Sequence, residues 1–187
     1  MKNIILSSLF LSIICIGCSV IPSQTITSQM NKVKKEGMIV GTISLENRKL
    51  IATGHYFFYA NDSIRNLVRT KEYDGGMLKK NSTKYNYGLI IQNNNGDFRE
   101  DGKWIFLYSI KKPAGKYNFY EIEIFLNSGY MQSTWKMPIE IPFEVEEGKI
   151  KYLGELNLNV KNGTIRILDK IDRDRAKFKE LYPSIVF

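Results

Sequence analysis

Few residues in this 187-residue chain have side chains suited to chemistry: one histidine, His55, and two cysteines, Cys15 and Cys18. A lone histidine excludes His-clustered metal centres and paired catalytic histidines, and two cysteines exclude a disulfide scaffold and a four-cysteine zinc site. His55 begins the aromatic run Tyr56-Phe57-Phe58-Tyr59, and the chain has no Gly-x-Ser-x-Gly elbow to supply a serine partner. A structural histidine at a strand end is therefore expected rather than a general base. Glu121 and Glu123 share a strand face with Cβ atoms about 7 Å apart, a spacing at which paired carboxylates hydrolyse glycosides. Solvent-facing glutamates on a half-buried strand give the same pattern, so no catalytic residue is expected. The segment from Asn93 to Asp97, continuing to Glu100 and Asp101, is rich in oxygen ligands. It lacks the EF-hand spacing and is expected to be a solvated hairpin loop with no metal and no cofactor. Among 11 Tyr, 10 Phe and 2 Trp, the three residues worth testing as a sugar-stacking row are Trp104, Trp135 and Tyr130.

The cysteines lie in a telling context. Cys15-Ile16-Gly17-Cys18 has the spacing of a redox or metal pair, yet it sits inside an apolar segment rather than beside a βαβ pattern. Lys2, the apolar run from Ile4 to Gly17 and small residues at its exit fit an export signal. A helix of that length spans about 21 Å, short of a hydrocarbon core of about 30 Å. An uncleaved anchor is the competing reading, but Pro22, Ser23, Gln24 and Thr25 end the hydrophobicity early. The segment resembles the bacterial lipobox, with Gly17 and Cys18 in their usual places and Cys15 where the family commonly has Leu. The resemblance implies that residues 1–17 are a signal peptide. It also implies that Cys18 carries the lipid, including acyl chains such as palmitate, and becomes the mature first residue.

Residues 18–36 are polar and then basic, which suits a lipidated N-terminus and flexible tether. From residue 37 to 187 the pattern is that of an all-β domain, an antiparallel β-sandwich of about seven to nine strands with one short C-terminal helix. Strands are expected at 38–45, 55–60, 85–92 and 103–110, and Tyr120, Ile122, Ile124 and Leu126 are expected on one strand face. Ile139, Ile141, Phe143 and Val145 alternate with polar residues up to Glu147-Gly148. A tight hairpin there would set Phe143 against Tyr152 and Glu144 against Lys151. A second at Asn162-Gly163 would set Val160 against Ile165 and Leu158 against Ile167. Asp172 is expected to cap a helix ending before Pro183, with Ile171 and Ala176 at staple positions and Phe178, Leu181 and Tyr182 on one face.

Pro113-Ala-Gly-Lys-Tyr117 and the stretch from Phe143 to Gly154 carry a further resemblance. They resemble small bacterial lipoproteins with a transthyretin-like or carboxypeptidase-regulatory-like β-sandwich, over about residues 37–168. The shared motifs are structural, and that likeness implies no catalytic residue. Basic residues outnumber acidic ones 27 to 19, for a net charge of +8, but the lysines are scattered in pairs. An exported chain without a basic stripe is expected to bind no nucleic acid. The expectation is a lipid-anchored envelope protein, not an enzyme, located on the outer membrane if the source has two membranes. Its partners would be the membrane, through the lipid, and an envelope protein or a glycan. The role would be structural or protein-interacting, with a glycan-binding module as the alternative and a hydrolase as the least favoured.

Overall fold

The structure is a computed structural model that describes residues 26–48, 52–61, 87–92 and 95–187. Among these residues the strands are β1 (Glu36–Glu46), β2 (Ala52–Asn61), β3 (Tyr87–Gln92), β4 (Phe98–Glu100) and β5 (Lys103–Pro113). They continue with β6 (Gly115–Asn127), β7 (Gln132–Val145), β8 (Ile150–Asn159) and β9 (Thr164–Leu168), and one helix follows, α1 (Ile171–Leu181). One sheet has the order β4-β5-β1-β8-β9 and the other β3-β2-β6-β7. All pairings are antiparallel except β1 with β8, which run parallel. The expected all-β sandwich with a C-terminal helix is therefore the fold.

Alternation explains the layers. Ile39, Ile43 and Leu45 of β1 face the second sheet and join Phe57, Phe106, Ile122, Phe143 and Leu156 in the inter-sheet core. Met38 and Val40 face the opposite way and join Leu107, Phe178, Tyr182 and Ile185 beneath α1. β1 is thus covered on both faces, and every residue from Gly37 to Leu45 is buried, the polar Thr42 and Ser44 included. Ile26 is buried in the same helix-side cluster, and the Lys111 ammonium donates to the Thr27 hydroxyl. The chain therefore docks on the sheet from residue 26.

Both expected hairpins are corrected. β7 pairs along its length with β6, whereas β8 lies in the other sheet between β1 and β9. Glu147-Gly148 thus carries the chain across the sandwich, with Gly148 at φ 70° and its N–H donating to the Glu36 carbonyl. A Cβ on Gly37 would lie 1.9 Å from the Glu146 carbonyl oxygen, so only glycine fits that corner. Phe143 packs on Tyr59, Tyr117 and Phe119, while Tyr152 stacks on Phe187 in the other layer. The apolar alternation was real, but facing sheets satisfy it as well as a shared hairpin does. The charge match survives locally, with Glu146 bound by both Lys149 and Lys151.

In the β8–β9 hairpin Leu158 pairs with Ile165 and Leu156 with Ile167, two residues from the expected register. The Asn159 side-chain oxygen accepts from the backbone N–H groups of Lys161 and Asn162, which tightens a longer loop with Gly163 at φ 67°. In β6 a register shift between Phe119 and Glu121 removes Tyr120 from the Ile122 and Ile124 face and turns it outward. A bulge at Gly154, φ 121°, turns Glu155 and Asn157 toward α1 while Leu156 and Leu158 enter the core. Asp172 is not the cap: its side chain is 98% exposed, and the Asp169 carboxylate accepts from the Ile171 N–H instead.

Candidate functional site

The densest polar cluster lies where the first turn of α1 meets β1 and β8. The Arg173 guanidinium bonds Asp174, Glu155 at 2.7 Å, Glu100 and the Thr42 hydroxyl. Asp174, fully buried, also accepts from the Thr42 and Tyr152 hydroxyls at 2.8 and 2.7 Å. Ser44 donates to Glu155, Asn157 donates to Ser44 and Glu46, and Lys103 closes the chain on Glu46. Burial works against the Arg173 charge, yet the bonds to Asp174, Glu155 and Glu100 hold its pKa above the ordinary guanidinium value. Burial together with the Asp174 carboxylate raises the Tyr152 phenol well above its usual range. Bonds from Lys103 and Asn157 lower the Glu46 carboxyl. The carboxylates of Asp174, Glu155 and Glu46 are thus engaged by donors within the protein, a geometry that fixes the helix to the sheet rather than presenting an acid or base to a substrate. No group of three or more His, Cys, Asp or Glu side chains capable of holding a metal occurs among the described residues.

The candidates read from the sequence separate in space. Cys15, Cys18 and the rest of residues 1–25 lie outside the described residues, as do Asn93 and Asn94. His55 is completely buried with neither ring nitrogen hydrogen-bonded, and burial plus the Arg48 charge press its pKa down to about 4. Asp97 is no solvated loop residue: it is buried, its carboxylate accepts from the Leu107 N–H at 2.7 Å, and its N–H donates to the Ile105 carbonyl. Trp104, Trp135 and Tyr130 lie on three different elements. Trp104 on β5 carries the Arg99 guanidinium 4.7 Å from its ring centre. Trp135 packs on the core beside Gly163, and Tyr130 stands fully exposed in the β6–β7 loop. A pocket of about 430 Å³ opens beside Trp104, with Leu45 and Phe106 as apolar walls and Glu46, Asn47, Arg48 and Lys103 as its polar side.

A different aromatic row lies on the outer face of the four-stranded sheet. Alternation sends Phe57 and Tyr59 inward and Tyr56 and Phe58 outward. The Tyr56 and Phe58 ring centres are 6.3 Å apart with planes 10° from parallel, and Phe58 and Tyr120 are 6.4 Å apart at 27°. Gly54 makes room for the first ring, since a Cβ there would lie 2.9 Å from Tyr56 Cε2, whereas one on Gly88 would make ordinary contact, 3.4 Å, with Phe58 Cδ1. Tyr56, Phe58 and Tyr120 are all half-buried. Beside them on β6, Glu121 and Glu123 share Lys136 of β7, each at 3.7 Å. On the other flank Ile90 of β3 is 52% exposed. The sequence did hold a signal for this row, since four consecutive aromatics in a strand cannot all face one core.

No protein-family profile matches the chain, and no curated protein matches it. Among solved structures it is similar to a leucine-rich repeat protein from Bacteroides thetaiotaomicron, at 14% sequence identity and a TM-score of 0.37. The match covers 67% of this chain but only 14% of that protein's length, and likeness at that level supports no inference.

Proposed function

We propose that this chain is a lipid-anchored lipoprotein of the bacterial cell envelope whose β-sandwich, of the transthyretin-like or carboxypeptidase-regulatory-like kind, has a binding or structural role and catalyses nothing. The observation that carries the reading is the apolar run that ends at Gly17-Cys18 and gives way at once to polar chain. The docking of Ile26 adds a geometric consequence. Ile26 is only eight positions after Cys18, and at a maximum of about 3.6 Å per step the anchor lies within roughly 29 Å of the sandwich. The domain is thus held close to the membrane surface, where its partner would be another envelope component. A non-catalytic role is supported by the sealed His55 and by carboxylates already engaged within the protein. Ser19 stands where an aspartate would commonly retain a lipoprotein at the inner membrane, so outer-membrane residence follows if the source has two membranes. Metabolic labelling with a palmitate analogue tests the anchor: the native chain takes up label and Cys18→Ala does not. Labelling that persists in Cys18→Ala overturns the reading. The second reading, a glycan-binding module, is favoured by the outward aromatic row on β2 and β6.

A further inference from the structure

We propose that the outer face of the β3-β2-β6-β7 sheet is a platform for a neutral polysaccharide, with Tyr56, Phe58 and Tyr120 as its floor and Glu121, Glu123 and Lys136 as its polar side. The inference rests on the glycan reading of the domain. A pyranose ring has an apolar C–H face and a hydroxyl-bearing edge, so it fits a site that is flat and aromatic on one side and rich in acceptors and donors on the other. Three features of this face meet that requirement. The rings are nearly parallel and spaced 6.3 and 6.4 Å apart, a stretch suited to a di- or trisaccharide segment of a chain. Gly54 leaves the Tyr56 ring room to lean along its strand, since a Cβ there would come within 2.9 Å of it. Register places the polar groups alongside: Tyr56 pairs with Glu123 and Glu123 with Lys136, while Phe58 pairs with Glu121.

Charge selects among occupants. The carboxylates of Glu121 and Glu123 stand beside the rings, so a nucleic acid strand would bring its phosphates against like charge despite the stacking surface. An acidic polysaccharide meets the same repulsion. A neutral glycan does not, and its hydroxyls can donate to both glutamates and accept from the Lys136 ammonium. Burying the C–H faces of the sugars on the rings supplies the hydrophobic part of the affinity.

Affinity electrophoresis of the full chain, in native gels cast with hydroxyethyl cellulose, soluble starch, galactomannan or polygalacturonate, tests the proposal. Retardation is expected in at least one neutral polymer and not in polygalacturonate. Tyr56→Ala and Phe58→Ala should each weaken retardation more than tenfold, Tyr56→Phe should keep it, and Tyr130→Ala in the β6–β7 loop should leave it unchanged. If an alanine variant melts early, Glu123→Gln serves as a second probe that leaves the rings in place and should weaken retardation. Absence of retardation in every neutral polymer overturns the proposal, as does binding indifferent to Tyr56, Phe58 and Glu123, or retardation by polygalacturonate alone. Because lipid labelling at Cys18 is scored independently, loss of the platform leaves the anchor standing, and the reverse.

Discussion

Arg173→Met removes one guanidinium while keeping most of its aliphatic bulk. In the native protein that group neutralises two carboxylates buried almost completely: the Glu155 side chain is 4% exposed and that of Asp174 0%. Removing one partner of a buried ion pair costs about 3–5 kcal/mol, because the remaining charge has neither water nor a counter-ion. Thr42 and Tyr152 still donate to Asp174, and Ser44 to Glu155, which places the expected loss near the lower end, about 3 kcal/mol. A chain of this size loses about 2–4 °C of melting temperature per kcal/mol, so a fall of about 6–12 °C is expected at neutral pH. Denaturant melts at pH 7.5 provide the assay. Asp172→Ala, one residue away but with its carboxylate in solvent, should change little. A loss below about 1 kcal/mol in Arg173→Met would refute the view that this ion cluster fixes α1 to the sheet.

Phe143→Ala is expected to cost about 3–5 kcal/mol, because the ring packs on three other aromatics in the inter-sheet core. Glu144→Ala, on the solvent side of the same strand, should stay within about 0.5 kcal/mol in the same melts, and equal losses would contradict the inward register of β7. His55 is held at a pKa of about 4 against an ordinary 6.5, so its contribution is complete above pH 6.5 and is lost as the pH falls toward 4. That amounts to about 3 kcal/mol at about 1.36 kcal/mol per pKa unit, and pH-dependent melts of His55→Phe should lack this part of the acid sensitivity. Glu46 and Glu146, both lowered by lysine partners, lose their contributions in a separate window below the ordinary carboxylate range. Asp97→Ala should cost about 1–3 kcal/mol by leaving the Leu107 N–H unpaired, while millimolar calcium or EDTA leaves the melting temperature of the native chain unchanged. A calcium-dependent rise that vanishes in Asp97→Ala would make that loop a metal site.

How much was legible from sequence follows the range over which each signal acts. Alternation is local, so the strands, their inward faces and the helix carrying Phe178 and Tyr182 were readable residue by residue. The three aromatics singled out one by one lie on β5, on β7 and in the β6–β7 loop, and whether aromatics line up depends on which strands lie side by side. The row that exists was half visible in the run from Tyr56 to Tyr59, but its third ring, Tyr120, reaches that face only through a bulge in β6.

By itself the sequence determined the all-β class, the inward and outward faces of β7, and the presence of a single histidine. These follow from residue type and from a repeat of two, which act within a few positions. Tertiary structure alone decided that β7 and β8 belong to different sheets, that β1 and β8 run parallel, and that Arg173 meets Glu155 and Glu100. An apolar strand face is satisfied by any apolar surface of the right shape, whether on the next strand or across the sandwich. The choice between them is made by contacts far apart in the chain: the Glu146 carbonyl packed against Gly37, the Gly148 N–H on the Glu36 carbonyl, and Met38 on Lys149.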